Sequence, residues 1–128
     1  MTCFDSSFLI DYLEGTEDAL TYIDAHPDDS FYVPNVVLFE LYRGAIRTSR
    51  RNAVAELRND LSWLEPLPFT ADAALEAAKI EAELKQDGTP IGTPDVQIAG
   101  IVRNIGETLV TRDRDFDEVE GLNVESYP

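Results

Sequence analysis

Short apolar runs alternate along this chain with longer segments whose apolar residues recur at helical spacing. The clearest helix follows Thr70, its predicted N-cap, and ends before Gly88, where a left-handed residue commonly closes a helix. Strands separated by helices favour a parallel sheet, because the connecting helices pack on its two faces. At 128 residues, the sequence predicts a single α/β domain over residues 1–128, with a mostly parallel sheet of four to five strands.

The predicted strands lie at 2–5, 31–33, 64–69, 107–112 and 123–125. Two prolines limit the third run to a short or edge strand, since proline cannot donate to the hydrogen bonds of a sheet. We expect helices after residue 5, over 17–25, after residue 34, over 47–58, over 71–87 and over 94–105. The predicted N-caps are Ser6 or Ser7 for the first of these helices, Asn35 for the third and Thr93 for the last.

Four acidic residues interrupt or close apolar stretches: Asp5, Glu40, Asp95 and Asp113. Asp5 and Asp113 end predicted strands, and sites in parallel α/β sheets form at the carboxyl ends of strands. Glu40 lies in a helix that follows a strand and Asp95 in the first turn of another helix, so all four can face one edge of the sheet. Carboxylates packed there repel one another and need a cation. Oxygen ligands suit one or two Mg²⁺ or Mn²⁺ ions rather than zinc or copper.

Such a centre suits the hydrolysis of phosphodiester bonds, in which a metal activates a water and stabilises charge on the leaving oxygen. No protein nucleophile is then needed, which agrees with a chain that has one His and one Cys. Each acid also has a simpler interpretation. Asp5 can cap the following helix, and Glu40 can pair with Arg43 three residues on. Asp95 can be a plain first-turn acid, and Asp113 can be a turn residue.

Five further residues are weaker candidates for supporting the metal centre or contacting the substrate: Ser6, Thr111, Asp115, Arg43 and Arg47. Thr111 can orient a water or can be an ordinary strand residue. Asp115 can support Asp113 or cap a short turn over 116–119. Ser6 can touch a ligand or cap a helix. His26 is predicted to lie in a surface loop and not to act as a catalytic base, although the near-neutral pKa of histidine suits that role.

The net charge of −15 argues against a nucleic-acid binder, because phosphate recognition normally rests on Lys and Arg. The acids are spread along the whole chain, and Lys79 and Lys85 are its only lysines. An evenly acidic, lysine-poor surface is typical of a protein that works in high salt, where charges are strongly screened. One segment nevertheless concentrates basic residues, and it is either a solvated helical face or a phosphate-contacting strip. Its members are Arg43, Arg47, Arg50, Arg51 and Arg58.

The compartment and the absence of a membrane partner are also predicted from composition. The single cysteine, Cys3, excludes an internal disulfide and fits a reducing environment. The longest uncharged run, 31–39, is too short to span a bilayer, and the first residues lack the pattern of a signal peptide. We therefore expect a cytoplasmic protein.

The segments around the four acids resemble those of the PIN-domain ribonucleases, and within them the VapC-type toxins of toxin–antitoxin pairs. The matching segments are DSSFLID at 5–11, ELYRG at 40–44, IGTPDVQIA at 91–99 and LVTRDRDF at 109–116. They occur in the family's order and approximate spacing, and the resemblance covers nearly the whole chain. It implies a three-layer α/β/α sandwich and Mg²⁺- or Mn²⁺-dependent endonuclease activity on RNA. It also implies that the four acids bind metal, that a cognate antitoxin blocks the site, and that the protein is a homodimer.

The chain departs from the family in its acidic surface, since the RNA-binding surface of these enzymes is usually basic. Gly100 also stands where the family commonly has alanine, which by sequence is a modest change. The alternative function is a catalytically silent PIN-fold module that binds RNA or an antitoxin, although a silent copy should have lost some of the four acids. A phospho-acceptor receiver domain would need a lysine at a strand end, whereas both lysines lie on a predicted helix. A phosphatase with an aspartate nucleophile would need a second Asp close to Asp5.

Overall fold

The computed structural model describes residues 1–127, in which strands and helices alternate. Their order is β1 (Thr2–Phe4), α1 (Ser6–Leu13), α2 (Glu17–Asp24), β2 (Phe31–Pro34), α3 (Asn35–Arg47), α4 (Ala53–Asp60), β3 (Glu65–Leu67), α5 (Ala71–Gln86), α6 (Thr93–Ile105), β4 (Thr108–Thr111), a 3-10 helix (Arg114–Glu118) and β5 (Asn123–Ser126). None of the helices within 1–127 is long and apolar enough to cross a membrane.

All five strands run parallel in one sheet, in the order β3-β2-β1-β4-β5. The helices flank this sheet, which confirms the predicted α/β sandwich. The proline-containing strand and the last strand lie at the two edges, as predicted, because an edge strand tolerates missing hydrogen bonds. β1 and β4 are neighbours at the centre, with Phe4 opposite Val110. The residues that follow these two strands therefore meet at the carboxyl edge of the sheet.

The central strands are short, apolar and buried on both faces, as expected for a sheet covered by helices. Their fully buried residues are Cys3, Phe4, Leu109 and Val110. Phe4 stacks on Phe8 of α1 with ring centroids 4.0 Å apart, which fixes the first helix against the sheet. This packing places the N-terminus of α1, and with it Asp5, at the carboxyl edge.

The predicted N-caps were wrong for α3 and α6, and for α1 the alternative cap, Asp5, was correct while Ser6 and Ser7 were not. Asp5 caps α1, since its Oδ1 accepts a hydrogen bond from the Phe8 amide at 3.1 Å; Ser6 and Ser7 lie inside the helix. Asn35 and Thr93 are the first residues of α3 and α6 rather than their caps. A capping side chain must precede the first helical residue, and both residues already have helical backbone.

The cap of α5 and the ends of α5 and α6 were predicted correctly. The Thr70 side chain accepts a hydrogen bond from the Ala73 amide at 3.1 Å. Gly88, just past α5, and Gly106, at the end of α6, have left-handed φ values of 76° and 70°. Glycine adopts this conformation without steric cost, so both helices end where the sequence indicates.

The predicted continuous helix over 47–58 is interrupted. α3 ends at Arg47 and α4 begins at Ala53. Between them, Ser49 and Asn52 adopt left-handed φ values of 54° and 66°. Such residues cannot continue a right-handed helix, and neither is the glycine that would have signalled the break.

Candidate metal centre

Three acidic side chains converge at the carboxyl edge of the sheet: Asp95, Asp113 and Asp115. One carboxylate oxygen from each lies within 4.8 Å of the other two. Asp95 is in the first turn of α6, and Asp113 caps the 3-10 helix that follows β4. The Asp115 amide donates a hydrogen bond to Asp113 Oδ1 at 2.9 Å, and this tight turn brings the two acids together. Asp115, predicted as a supporting residue, therefore lies within the cluster itself.

Asp5 lies beside this cluster but is committed to hydrogen bonds within the protein. Its side chain is only 3 % exposed. Oδ1 accepts from Ser7 Oγ at 2.7 Å, in addition to the Phe8 amide, and Oδ2 accepts from Thr111 Oγ1. These bonds hold the carboxylate rigidly at the end of β1.

The same two hydroxyl groups connect Asp5 to the backbone that carries Asp113. Ser7 Oγ accepts from the Arg112 amide at 3.2 Å, and Thr111 Oγ1 accepts from the Asp113 amide at 2.9 Å. Each hydroxyl thus donates to Asp5 and accepts from the segment after β4. Thr111 was predicted to support the centre, whereas Ser7 was considered only as a cap. No local signal separates Ser7 from Ser6, because the choice depends on where β4 lies.

Glu40 reaches the site from α3 and has an unsatisfied oxygen. Its Oε1 is buried and has no hydrogen-bond partner within residues 1–127. The predicted pairing with Arg43 does not form as an ion pair; the Arg43 guanidinium lies 5.2 Å from the centroid of the Phe39 ring. A buried carboxylate oxygen without a partner costs free energy, so this position is suited to a cation.

The electrostatics of the centre are those of crowded, partly buried carboxylates. Burial raises the pKa of Asp95 to about 6, with further increases from the charges of Asp113, Glu40, Asp5 and Asp115. Burial is also the main reason that the pKa values of Asp5 and Glu40 are raised. The hydroxyl and amide donors to Asp5 oppose that shift, as the charge of Arg43 does for Glu40.

The residues present fit a hard divalent cation. Within residues 1–127, none of the five acids forms an ion pair with a Lys or Arg side chain. The donors are all carboxylate oxygens, which Mg²⁺ and Mn²⁺ prefer. Together with the partnerless oxygen of Glu40, these carboxylates form a negative cluster whose donors suit a divalent cation.

The remaining predicted candidates lie outside this cluster. Arg43 and Arg47 are on α3, with Arg43 three residues after Glu40. His26 contacts Tyr22: its ring stacks on the Tyr22 ring, and its Nδ1 lies 2.7 Å from the Tyr22 carbonyl oxygen. Ser7, rather than Ser6, makes the contact with Asp5.

Comparison with known proteins shows the family to which the chain is similar. The model of the family described as the PIN domain matches residues 2–122. A protein of Salmonella typhimurium named "tRNA(fMet)-specific endonuclease VapC" is 34 % identical over 98 residues, which cover 74 % of each chain. A protein of the same name from Shigella flexneri is 36 % identical over the same share of both chains.

Solved structures show the same fold over nearly the full length. VapBC2 from Rickettsia felis, bound to a DNA fragment from its promoter, gives a TM-score of 0.91 at 22 % identity, covering 99 % of this chain and 98 % of that one. DNA-bound VapBC from Salmonella typhimurium gives a TM-score of 0.87 at 26 % identity, covering 98 % of this chain and 96 % of that one. The chain belongs to the PIN-domain family and, within it, to the VapC ribonucleases.

Proposed function

We propose that this protein is the toxin of a toxin–antitoxin pair and cuts RNA as a Mg²⁺- or Mn²⁺-dependent endonuclease at the centre just described. The observation that carries the proposal is the convergence of Asp95, Asp113 and Asp115 beside a buried, partnerless oxygen of Glu40. By geometry, the three aspartates are the first candidates to ligate the metal. Asp5 and Glu40 complete the acidic centre.

When bound, a divalent ion supplies activation of a water and stabilisation of charge on the leaving oxygen. The protein contributes position and charge. Asp5 holds the Ser7 and Thr111 hydroxyls, and through them the backbone that carries Asp113. Asp95, whose pKa is about 6, is largely ionised above neutral pH and is then available as a ligand.

The proposed substrate is RNA. Two similar proteins are named tRNA(fMet)-specific endonucleases, so initiator tRNA is the first substrate to test. Arg43 and Arg47 lie on the helix that carries Glu40, in a molecule with few other positive charges. We assign them to phosphate contacts beside the centre.

The proposed partners are a cognate antitoxin and a second copy of this chain. The structures with the same fold include VapBC complexes, and the acidic centre offers an antitoxin a site for an arginine side chain, which pairs well with carboxylates. A single, buried cysteine is consistent with the proposed cytoplasmic location.

The test is RNA cleavage by the purified protein in high KCl with Mn²⁺ or Mg²⁺. Wild type is compared with Asp95→Asn, Asp113→Asn and Asp5→Asn, with and without EDTA. Asp72→Asn is the matched control, because Asp72 is also a first-turn acid but lies exposed on α5. We expect metal-dependent cutting by wild type and Asp72→Asn, and losses of at least about 100-fold in the other variants, since each removes a charge from the centre.

Folding of each variant is checked by circular dichroism. If folded wild type and folded variants are equally inactive on initiator tRNA and on total RNA, the catalytic proposal fails. The silent binding module then becomes the better interpretation.

A further inference from the structure

A second buried acid, Asp11, lies six residues after Asp5, on α1, and takes no part in the centre described above. Asp11 is 7 % exposed. Its Oδ2 accepts a hydrogen bond from the Tyr127 hydroxyl and lies 3.1 Å from Arg112 Nη1. A buried carboxylate is costly unless it is paired, and these two contacts offset the cost of burying Asp11.

Both partners of Asp11 are attached to the end of β4. Arg112 stands between Thr111 and Asp113 in the chain, and its amide donates to Ser7 Oγ. The Tyr127 amide donates to the Thr111 carbonyl at 3.2 Å, and the Tyr127 ring packs edge-on against Phe8 at 4.6 Å between centroids. Asp11, Arg112 and Tyr127, here called the Asp11 clamp, thus join α1, the end of β4 and the segment after β5.

The segment that the clamp holds carries two of the three converging acids. Asp113 follows Arg112 directly, and Asp115 is coupled to Asp113 by its amide. Three carboxylates whose oxygens lie within 4.8 Å of one another repel, and this repulsion acts to separate the segment 112–115 from Asp95. A side-chain bond from Arg112 back to rigid α1 opposes this displacement.

We propose that Asp11, Arg112 and Tyr127 are positioning residues that hold Asp113 and Asp115 in the arrangement that binds metal, and so set the affinity of the centre for the ion. This inference rests on the proposed metal-dependent function. It assigns no contact with substrate or metal to the clamp itself. Groups that orient metal ligands without touching the metal typically contribute about 10–100-fold to affinity.

The experiment measures Mn²⁺ affinity by titration calorimetry in 1 M KCl, which suppresses loose binding of the ion to the acidic surface. The variants are Arg112→Ala, Arg112→Lys, Asp11→Asn and Tyr127→Phe. Arg114→Ala is the matched control, since Arg114 lies two residues on but pairs with Asp117 at 2.8 Å on an exposed surface. We expect Kd for Mn²⁺ to rise roughly 10–100-fold in Arg112→Ala and Asp11→Asn, and less in Arg112→Lys and Tyr127→Phe. Arg114→Ala should match wild type.

RNA cleavage separates positioning from other roles. If the clamp acts only on metal affinity, kcat returns close to the wild-type value at saturating Mn²⁺. If Arg112→Ala instead raises KM for RNA at every Mn²⁺ concentration and leaves Kd for Mn²⁺ unchanged, Arg112 contacts the substrate and the clamp proposal is wrong. Should Asp11→Asn not fold, Arg112→Ala and Tyr127→Phe decide the question.

The two proposals fail in different ways. Absence of Mn²⁺ binding and of cutting by wild type would overturn the metal-dependent function. Wild-type binding that persists unchanged in folded Arg112→Ala and Tyr127→Phe would overturn the clamp alone.

Discussion

Asp95 suits the proposed metal centre, but its charge destabilises the folded protein when no metal is bound. It is half-buried, and its neighbours Asp113, Glu40, Asp5 and Asp115 are all acidic. Its folded-state pKa of about 6 lies above the value of about 3.9 for an unfolded aspartate. The folded protein therefore binds more protons between these pH values, and without metal its stability falls as the pH rises through that window.

Asp95→Asn should therefore stabilise the metal-free protein at neutral pH while abolishing cleavage. In EDTA at pH 7.5 we expect the free energy of unfolding to increase by about 1 kcal/mol. This is less than the free energy that corresponds to the whole pKa shift of Asp95, because solvent screens a half-buried group. The gain should shrink towards pH 4, where the wild-type carboxyl is also neutral in the folded state. Urea unfolding at several pH values measures this difference.

Saturating Mn²⁺ should reverse the order of stability, because the ion stabilises only the chain that binds it. Asp72→Asn serves as the control and should show neither effect. A pH-independent difference between wild type and Asp95→Asn would mean that the carboxylate is not titrating in this window.

The acids of the centre were predictable from the sequence, but the contacts that each of them makes were not. Asp5 was predicted either to cap α1 or to belong to the site, and the two are compatible. One of its oxygens caps α1, while the other accepts a hydrogen bond from Thr111. Asp115 was predicted only as a less certain partner of Asp113, since its position beside Asp95 depends on the tight turn at Asp113. The roles of Ser7 and Asp11 arise from contacts more than a hundred residues away in the chain, which local spacing does not encode.

Among the elements, α6 carries Asp95 in its first turn, so the packing of α6 against α5 helps to fix the position of that acid. Gly100, in its middle, lies against α5 so closely that a Cβ there would come within 2.7 Å of Ala77 Cβ and 2.8 Å of the Ala73 carbonyl oxygen. Glycine is needed because the obstacle includes backbone, which cannot rotate away. Gly100 in place of the alanine common in the family therefore has a greater effect on packing than the sequence alone indicates.

Gly100→Ala should destabilise the protein by about 1–3 kcal/mol, as overpacking of a tight helix contact does. Gly44→Ala is the matched control, since Gly44 also lies in a helix but has nothing within 4 Å of the position that a Cβ would take. It should stabilise the protein by about 0.5–1 kcal/mol through the greater helix propensity of alanine. Chemical unfolding in EDTA measures both, and equal effects of the two substitutions would contradict the close-packing argument.

The strands and most helices were predictable because their signals are local. Apolar runs marked the strands, and glycines at positions 88 and 106 marked helix ends. The break between α3 and α4 was missed because Ser49 and Asn52 adopt left-handed conformations that neither residue type requires.

The whole molecule carries a net charge of −15, yet its proposed substrate is a polyanion. Long-range repulsion should slow the encounter with RNA at low ionic strength, whereas Arg43 and Arg47 act only at close range. The Debye length falls from about 10 Å at 0.1 M salt to about 3 Å at 1 M, so added KCl removes the repulsion before it removes contacts made at close range.

We therefore expect kcat/KM for RNA cleavage to rise several-fold between 0.1 and 1 M KCl, opposite to the fall that counter-ion release gives for basic nucleic-acid-binding proteins. The triple variant Asp28→Asn, Asp72→Asn and Asp87→Asn removes three exposed charges. It should be faster than wild type at 0.1 M KCl and equal to it at 1 M, because only the screened, long-range interaction has changed. A kcat/KM that falls steadily with KCl in both proteins would mean that the arginines of α3, and not the net charge, govern the encounter. The acidic surface would then serve solubility or the antitoxin rather than adaptation of the nuclease to salt.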